Sequence, residues 1–490
     1  MTDKSLSVLI PKRLAPHAPW AALRLRISER RLLLGTVDLT IVGLALWLAL
    51  ATQPGLSWRA ALTPLYLRWF VTLAGVWLVA ALIFDLYSLP QAAHPRQAVR
   101  GALGAGLMTV IVYTLTPWLT PPLLSRFLFV VFAAVTLTGL ALWRFAYARF
   151  FTQPWTKQRV LVVGAGRAGV ELARNLSQAS GVPSPYRGSG YELAGFIDDD
   201  ALLQEQVVAG APVWGGHARL LSLLSELQID EVIVAITNRH AIRPELLEAL
   251  IACAEHGCRV TTMSALAERV LGRVPVLHIG HNLEDVFPAQ DDVMSRLTAI
   301  FKRATDLTAA LVGLAALGLV LPGVALANRL GSPGPIFYRQ ARVGRGGRSF
   351  AIYKLRSMVP NAEAGTGAVW AAQDDTRITP VGRWLRRTRL DELPQMINVL
   401  RGEMSIVGPR PERPEFVAQL AAAIPFYRAR HSMRPGVTGW AQVQYEYGRS
   451  VEDARIKLEY DLYYVRHVTP LLDLQILFRT VAIALQMKGA

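Results

Sequence analysis

Residues 305–328 read TDLTAALVGLAALGLVLPGVALAN. The stretch is apolar and long enough to cross a bilayer, for which about 20 residues suffice. Pro322-Gly323 interrupts it. How it is read decides on which side of a membrane the last third of the chain lies. Both flanks are basic, with Lys302 and Arg303 before it and Arg329 after. A full span would carry one flank, and everything beyond it, to the extracytoplasmic side, against the bias of basic residues toward the cytoplasm. Pro322 removes a backbone donor and bends a helix. A kinked helix over 305–328 that enters and leaves on the cytoplasmic face satisfies both flanks. The stretch is therefore read as re-entrant, with Pro322 at its break.

Working back toward the N-terminus, four further apolar segments lie at Leu32 to Ala51, Leu65 to Tyr87, Gly101 to Leu119 and Leu123 to Trp143. Each approaches the length of a membrane span. Lys4, Lys12, Arg13, Arg24, Arg26, Arg30 and Arg31 precede the first. Arg144, Arg149, Lys157 and Arg159 follow the last. The loop 120–122 has no charge, 52–64 has one Arg, and 88–100 has Arg96 and Arg100. Both ends of this bundle are expected in the cytoplasm. The basic leader is long and no small-residue cleavage site follows the first apolar run, so that run is read as a retained anchor.

The composition agrees. The 490 residues carry a formal charge of +16, yet only 18% are charged, against about 25% in soluble chains. Hydrophobic residues reach 52% and the mean hydropathy is +0.30. This composition argues against disorder and against a plain soluble enzyme. A membrane protein with basic cytoplasmic faces and a basic nucleic-acid binder remain, and the clustered apolar segments favour the first. Cys253 and Cys258 are too far apart for a CxxC pair and have no histidine cluster nearby. They are read as buried reduced thiols in a cytoplasmic region, not as a disulfide or a zinc site.

From Gln158 the pattern changes to alternating strands and helices. A β-type run, Arg159 to Val163, leads into Gly164-Ala165-Gly166-Arg167-Ala168-Gly169 and a helical stretch to Leu176. After a Ser/Pro/Gly-rich loop at 177–190, further strands are expected at Tyr191 to Ile197, Glu231 to Ile236 and Arg259 to Met263. Helices are expected near His217 to Leu227 and Glu245 to Glu255. This is the order of a small doubly wound sheet. The GxGxxG follows a strand and opens a helix, as a dinucleotide fingerprint does. The next strand-end acid, Asp198, comes 34 positions after Gly164 (198 − 164), not about 20. No Tyr-x-x-x-Lys pair lies in this region, so a structural or regulatory Rossmann-like module is preferred to a catalytic dinucleotide site.

Beyond residue 330 the chain is dense in arginine. Arg383, Arg386, Arg387 and Arg389 precede Leu390-Asp391-Glu392-Leu393-Pro394-Gln395, and Met404 to Arg413 reads MSIVGPRPER. A lone Asp-Glu pair is ordinarily a solvated helix face. Among arginines it suits phosphate chemistry, because guanidinium forks bind phosphate oxygens in pairs. A carboxylate among arginines stays ionised at neutral pH. It can then bind Mg2+ or attack phosphorus. Pro409-Arg410-Pro411 would form a rigid turn that aims one arginine.

Together with Lys302-Arg303 and Asp306, Ser332-Pro333-Gly334-Pro335, Gln340 to Gly344, Tyr353-Lys354-Leu355-Arg356-Ser357-Met358 and Arg434-Pro435-Gly436-Val437-Thr438-Gly439-Trp440, these motifs make residues 300–490 resemble the bacterial sugar transferase domain of the monotopic phosphoglycosyl transferases. The bundle and the Rossmann-like module resemble the large members that initiate exopolysaccharide, capsule or O-antigen units. The fold class implied is a membrane α-helical bundle (1–150), an α/β Rossmann-like module (157–290) and a mixed α/β catalytic domain (298–490) with a re-entrant membrane helix at 305–328.

The resemblance implies that Asp391 is the nucleophile on the β-phosphate of a UDP-sugar. UMP leaves, and undecaprenyl phosphate then takes the sugar phosphate from Asp391. Glu392 completes the dyad, and both carboxylates are implied as Mg2+ ligands. Lys354, Arg386, Arg410 and Arg434 match positions that would hold phosphates or nucleotide, and Pro409 and Pro411 frame the uridine end. The sugar itself is not readable, and the resemblance offers glucose and galactose as the options. The partners implied are the UDP-sugar, undecaprenyl phosphate and the lipid bilayer at the cytoplasmic face of a bacterial inner membrane, without nucleic acid. A homodimer is kept in view. An NAD-dependent sugar-modifying enzyme and a non-catalytic membrane scaffold are the competing classes. The first lacks the Tyr-x-x-x-Lys pair. The second leaves the arginines around Asp391-Glu392 unexplained. The helix at Pro470 to Met487 is read either as lying on the membrane surface or as packing.

Overall fold

The computed structural model describes residues 24–52, 64–116, 120, 126–151, 153, 156–176, 190–237, 242–278, 292–360, 362, 375–445, 448 and 450–485. The tail with Lys4, Lys12 and Arg13, most of loops 52–64 and 177–190, residues 117–119 and Met487 lie outside them. The chain forms two compact units, Met1–Met263 and Ser264–Ala490.

In the first unit, helices α1 (Ile27–Ala51), α2 (Pro64–Ile83), the single turn α3 (Leu89–Ala92), α4 (Pro95–Thr114) and α5 (Arg126–Phe150) make a bundle. Among the described residues, Ile27–Ala51, Phe127–Phe150 and Arg296–Gly331 are long and apolar enough to cross a membrane. The shorter apolar helix Leu67–Ile83 lies within α2. The bundle core is apolar, built on Leu46, Leu73, Trp77 and Phe132. Two arginines read as flanking charges, Arg30 and Arg144, are buried. Arg144 belongs inside α5, where it pairs with Asp38 of α1 and donates to Leu86 O at 2.7 Å. An aspartate in an apolar run needs such a cation, since an unpaired charge there is costly. Arg30 donates to the carbonyls of Leu25, Phe151 and Thr156. It thus fastens the start of α1 to the chain leaving α5.

That chain enters β1 (Gln158–Val163), followed by α6 (Arg167–Leu176) and β2 (Tyr191–Ile197). The minor hairpin β3 (Val207–Val208) and β4 (Ala211–Pro212) comes next, then α7 (Leu220–Glu226), β5 (Glu231–Val234), α8 (Pro244–Glu255) and β6 (Arg259–Thr262). The four main strands form a parallel sheet in the order β2-β1-β5-β6. The expected strands appear within two residues of their predicted ends. At the β1–α6 turn Gly164 has φ +102°, and a Cβ on Gly169 would lie 1.9 Å from Gly164 O, so neither position admits a side chain. Asp198 accepts from Ala165 N at 2.7 Å and from Asp200 N at 2.9 Å. Its carboxylate therefore braces the glycine turn. Cys253 and Cys258 are buried and not joined in a disulfide, and burial pushes the Cys258 thiol up to about 11.

The second unit opens with α9 (Met263–Leu271), whose first residue belongs to the first unit, and then α10 (Asp292–Gly331). The apolar stretch 305–328 is thus the later part of a longer helix, which continues through Pro322. The polar face of α10 grips the rest of the unit. Lys302 Nζ donates to Val407 O, Tyr464 Oη and Asp473 Oδ2 at 2.8–2.9 Å. Arg303 donates to Val399 O and Leu400 O. Buried Asp306 accepts from Ser405 Oγ and Ile406 N, both at 2.8 Å. The antiparallel hairpin β7 (Phe337–Val343) and β8 (Ser349–Leu355) follows, then α11 (Pro380–Arg387) and α12 (Met396–Arg401). β9 (Ser405–Val407) pairs in parallel with β10 (Gly436–Thr438), with α13 (Pro414–Ala423) between them. α14 (Trp440–Gln444), α15 (Val451–Arg466) and α16 (Pro470–Leu485) complete the unit. One face of α16 packs through Ile476, while Leu471, Leu474 and Val481 are exposed.

Asp38→Asn should lower the thermal midpoint of the detergent-solubilised protein, because removing one partner of a buried pair costs about 3–5 kcal/mol. The double change Asp38→Leu with Arg144→Met should recover most of that loss.

Candidate active site

The site begins where α11 ends. Thr379 caps α11 by accepting from Gly382 N at 2.9 Å. After the helix, Arg389 adopts φ +56°, a left-handed conformation uncommon for a side-chain-bearing residue. It reverses the chain into a 3-10 turn, Leu390–Gln395, whose first turn carries Asp391 and Glu392. Both carboxylates are buried, at 7% and 8% exposure.

Their surroundings differ. Glu392 Oε1 accepts from Lys354 Nζ at 2.8 Å and from Arg410 Nη2 at 3.0 Å. Arg389 Nη1 stands 4.0 Å from Oε2. Burial alone would raise the Glu392 pKa, but Lys354 and Arg410, with Arg389 behind them, hold it well below the usual carboxylate range. Asp391 accepts no hydrogen bond among the described residues. Burial pushes its pKa up to about 6; Lys354, Arg386 and Arg410 oppose the shift, and the Glu392 charge adds to it. The dyad therefore holds one firmly ionised carboxylate and one more basic carboxylate beside it.

Lys354 arrives from β8, directly across the hairpin from Tyr338. Asn398 of α12 fixes that strand, donating to Ala351 O at 2.8 Å and accepting from Tyr353 N at 3.2 Å. Arg386 Nε donates to Ser357 Oγ at 2.9 Å. Buried Arg356 donates to Pro335 O, Ser332 Oγ and Ser332 O, which secures the Ser332–Pro335 turn. Arg410 also donates to Gln442 Oε1 at 3.2 Å. Pro409, Arg410 and Pro411 follow β9 and run against Arg434-Pro435-Gly436. The two backbones touch: a Cβ on Gly436 would lie 2.1 Å from Gly408 N, and one on Gly408 2.5 Å from Arg434 O.

The structure thus brings Asp391, Glu392, Lys354, Arg386 and Arg410 together. Arg434 is half-buried with its guanidinium beside Gly402, and it makes no ion pair with the dyad. Pro322 lies on α10, outside this cluster. Sequence reasoning named Arg389 in the arginine cluster without giving it a partner, and did not assign Asn398 or Gln442 to the site. The i, i+3 spacing to Glu392 could have indicated Arg389. Asn398 and Gln442 have no local signal. No group of three or more metal-ligating side chains occurs among the described residues. Mg2+ is ordinarily held by one or two carboxylates with substrate phosphates and water, and the open Asp391 with Glu392 fits that donor set.

Residues 297–487 match a family model described as bacterial sugar transferase, and 82–262 match one described as CoA-binding domain. The UDP-N-acetylgalactosamine-undecaprenyl-phosphate N-acetylgalactosaminephosphotransferase of Aeromonas hydrophila is 38% identical over 308 residues, covering 62% of this chain and 69% of that protein. A UDP-glucose:undecaprenyl-phosphate glucose-1-phosphate transferase of Xanthomonas campestris pv. campestris is 32% identical over 357 residues, 69% of each chain. One from Escherichia coli (strain K12) is 42% identical over 198 residues, 40% of this chain and 42% of the other.

The two carboxylates should affect stability with opposite signs. Asp391 binds its proton more tightly folded than unfolded, so its contribution is full below pH 4 and is lost as pH rises toward 6. Asp391→Asn should therefore stabilise the protein at pH 7.5, by on the order of 1–3 kcal/mol. Glu392 is held ionised, and its contribution is lost as pH falls. Glu392→Gln should destabilise by about 1–3 kcal/mol. Thermal midpoints of the two variants check the pair.

Proposed function

The chain belongs to the bacterial sugar transferase family, and on that footing we propose that it moves a sugar 1-phosphate from a UDP-sugar to undecaprenyl phosphate through a covalent intermediate on Asp391. That the protein is a membrane-associated transferase with undecaprenyl phosphate as acceptor follows from its family. The donor, the intermediate, the metal and the topology are our reading.

The asymmetry of the dyad carries this reading. Glu392 is engaged by two cations, whereas buried Asp391 accepts no hydrogen bond among the described residues. An Asp391 oxygen attacks the β-phosphorus, and the bond from that phosphorus to the oxygen bridging to the α-phosphate breaks. UMP leaves with that oxygen, and the sugar phosphate remains on Asp391 as an acyl phosphate, a mixed anhydride of the carboxyl. A phosphate oxygen of undecaprenyl phosphate then attacks the same phosphorus. The bond from that phosphorus to the Asp391 oxygen breaks, which regenerates the carboxylate and yields the diphosphate-linked lipid sugar. A pKa near 6 leaves Asp391 ionised at neutral pH and more basic than an ordinary aspartate. Glu392 keeps Lys354 and Arg410 beside the phosphorus, where they offset phosphate charge. Mg2+ on Asp391 and Glu392 would neutralise further diphosphate charge.

Three parts serve this chemistry. The bundle at 1–150 anchors the chain, a Rossmann-like module occupies 157–290, and the catalytic domain spans 298–490. The basic flanks of 305–328 and Pro322 support a re-entrant helix that keeps the dyad on the cytoplasmic face of the inner membrane. Pro322 lacks the N–H that would bond Gly318 O, which weakens the helix at that turn. The relatives' names divide between glucose and N-acetylgalactosamine. Glucose or galactose is our expectation, for use in exopolysaccharide, capsule or O-antigen synthesis, and a homodimer is compatible with the reading.

With a panel of UDP-sugars and undecaprenyl phosphate, Asp391→Asn should abolish UMP release. Wild-type protein given UDP-[14C]sugar without the lipid should retain label that hydroxylamine removes, and the variant should retain none. Near-normal turnover in Asp391→Asn would sink the nucleophile assignment. A cysteine placed at Arg329 should react with impermeant labels only from the cytoplasmic side. Labelling from outside would require a full span.

A further inference from the structure

Residues 407–412 form a strap whose carbonyls are gripped almost one after another. Lys302 Nζ donates to Val407 O at 2.8 Å, Gly436 N to Pro409 O at 2.9 Å and Arg430 Nη2 to Arg410 O at 3.0 Å. Arg342 Nη1 donates to Pro411 O at 3.1 Å and Val343 N to Glu412 O at 2.9 Å. The bond to Arg410 O differs from the rest. Pro409 and Pro411 have fixed φ angles and no N–H. The proline after Arg410 also confines that residue to extended conformations. Within that confined range the direction of the Arg410 carbonyl reports ψ of Arg410, so a donor fixed on this oxygen fixes that angle.

Arg430 holds this carbonyl from inside the protein. Its side chain is 6% exposed, in the turn Tyr427–Ser432. Nη1 donates to Tyr427 Oη at 2.7 Å, and Nη2 lies 2.6 Å from Asp461 Oδ2 on α15. Asp461 is itself almost fully buried. Burying a charge pair gains little stability over apolar packing; its best use is to fix one geometry. Here the geometry fixed is the backbone of the residue whose guanidinium reaches Glu392 Oε1.

We propose that Arg430, held by Tyr427 and Asp461, is a positioning residue that aims Arg410 at the donor's diphosphate. This rests on reading Arg410 as a phosphate ligand. The test titrates the full-length protein in detergent with UDP and Mg2+, so that no choice of sugar is needed. Arg430→Gln should weaken UDP about tenfold. Arg430→Lys keeps a charge that can reach the Arg410 carbonyl and should recover part of the loss. Tyr427→Phe deletes one oxygen and leaves the ion pair, and should weaken UDP about two- to threefold. Thermal midpoints identify folded variants; if Arg430→Gln does not fold, the Lys and Phe variants decide. Unchanged UDP affinity in the folded variants overturns the proposal, as does a Lys variant no better than a folded Gln variant. Arg410→Gln separates the two readings. Intact UDP binding in that variant removes the phosphate role itself. Weakened binding there, with the Arg430 and Tyr427 variants unaffected, removes only the positioning role.

Discussion

Glu392 Oε1 receives both the Lys354 ammonium and the Arg410 guanidinium, and the catalytic unit is arranged around that shared contact. Lys354 comes from a β-hairpin, Arg410 from a proline-bounded strap and Glu392 from a 3-10 turn. None of these short elements would keep its place alone. Two cations at a single oxygen repel each other, so the arrangement persists only while the carboxylate between them is ionised. The left-handed Arg389 supplies the chain reversal that puts the carboxylate there, and Asn398 fixes the strand that delivers the lysine.

The same contact divides the labour between adjacent carboxylates. Glu392 absorbs the nearest positive charge, which leaves Asp391 buried and open. In the proposed mechanism, a nucleophile held tightly by the same cations would be less basic. The basic residues divide as well. Some lie around the site, while Arg30 and Arg144 serve the interior of the bundle, where one ties backbone carbonyls together and the other neutralises Asp38.

Much of this was legible in the sequence, and the exceptions have physical reasons. The strand–helix alternation after Gln158 was readable because β propensity and glycine punctuation are local. Asp391, Glu392, Arg386 and Arg410 stood out because their motifs are dense in charge, whereas Lys354 was named only through the resemblance to the sugar transferase domain. Arg144 was misplaced because its partner Asp38 lies more than a hundred residues away, and an arginine at the end of an apolar run looks like a flank. The Arg430–Asp461 pair was missed for the same reason, since no spacing rule links a turn residue to a helix a full domain segment later. The length of α10 was missed because the hydropathy boundary at Thr305 is not a helix boundary. Lys302, Arg303 and Asp306 continue the helix while turning its polar face to the catalytic core.

The backbone contact between Gly408 and Gly436 has a consequence for how such a protein can diverge. Neither position can gain even a methyl group without driving the two strands apart, so the floor under Arg410 is closed to stepwise change. The exposed surface of the hairpin opposite has no such restriction. Tyr338 sits there beside Lys354 with open solvent over part of its ring. Substitution therefore has room on that face of the hairpin and almost none at the strap.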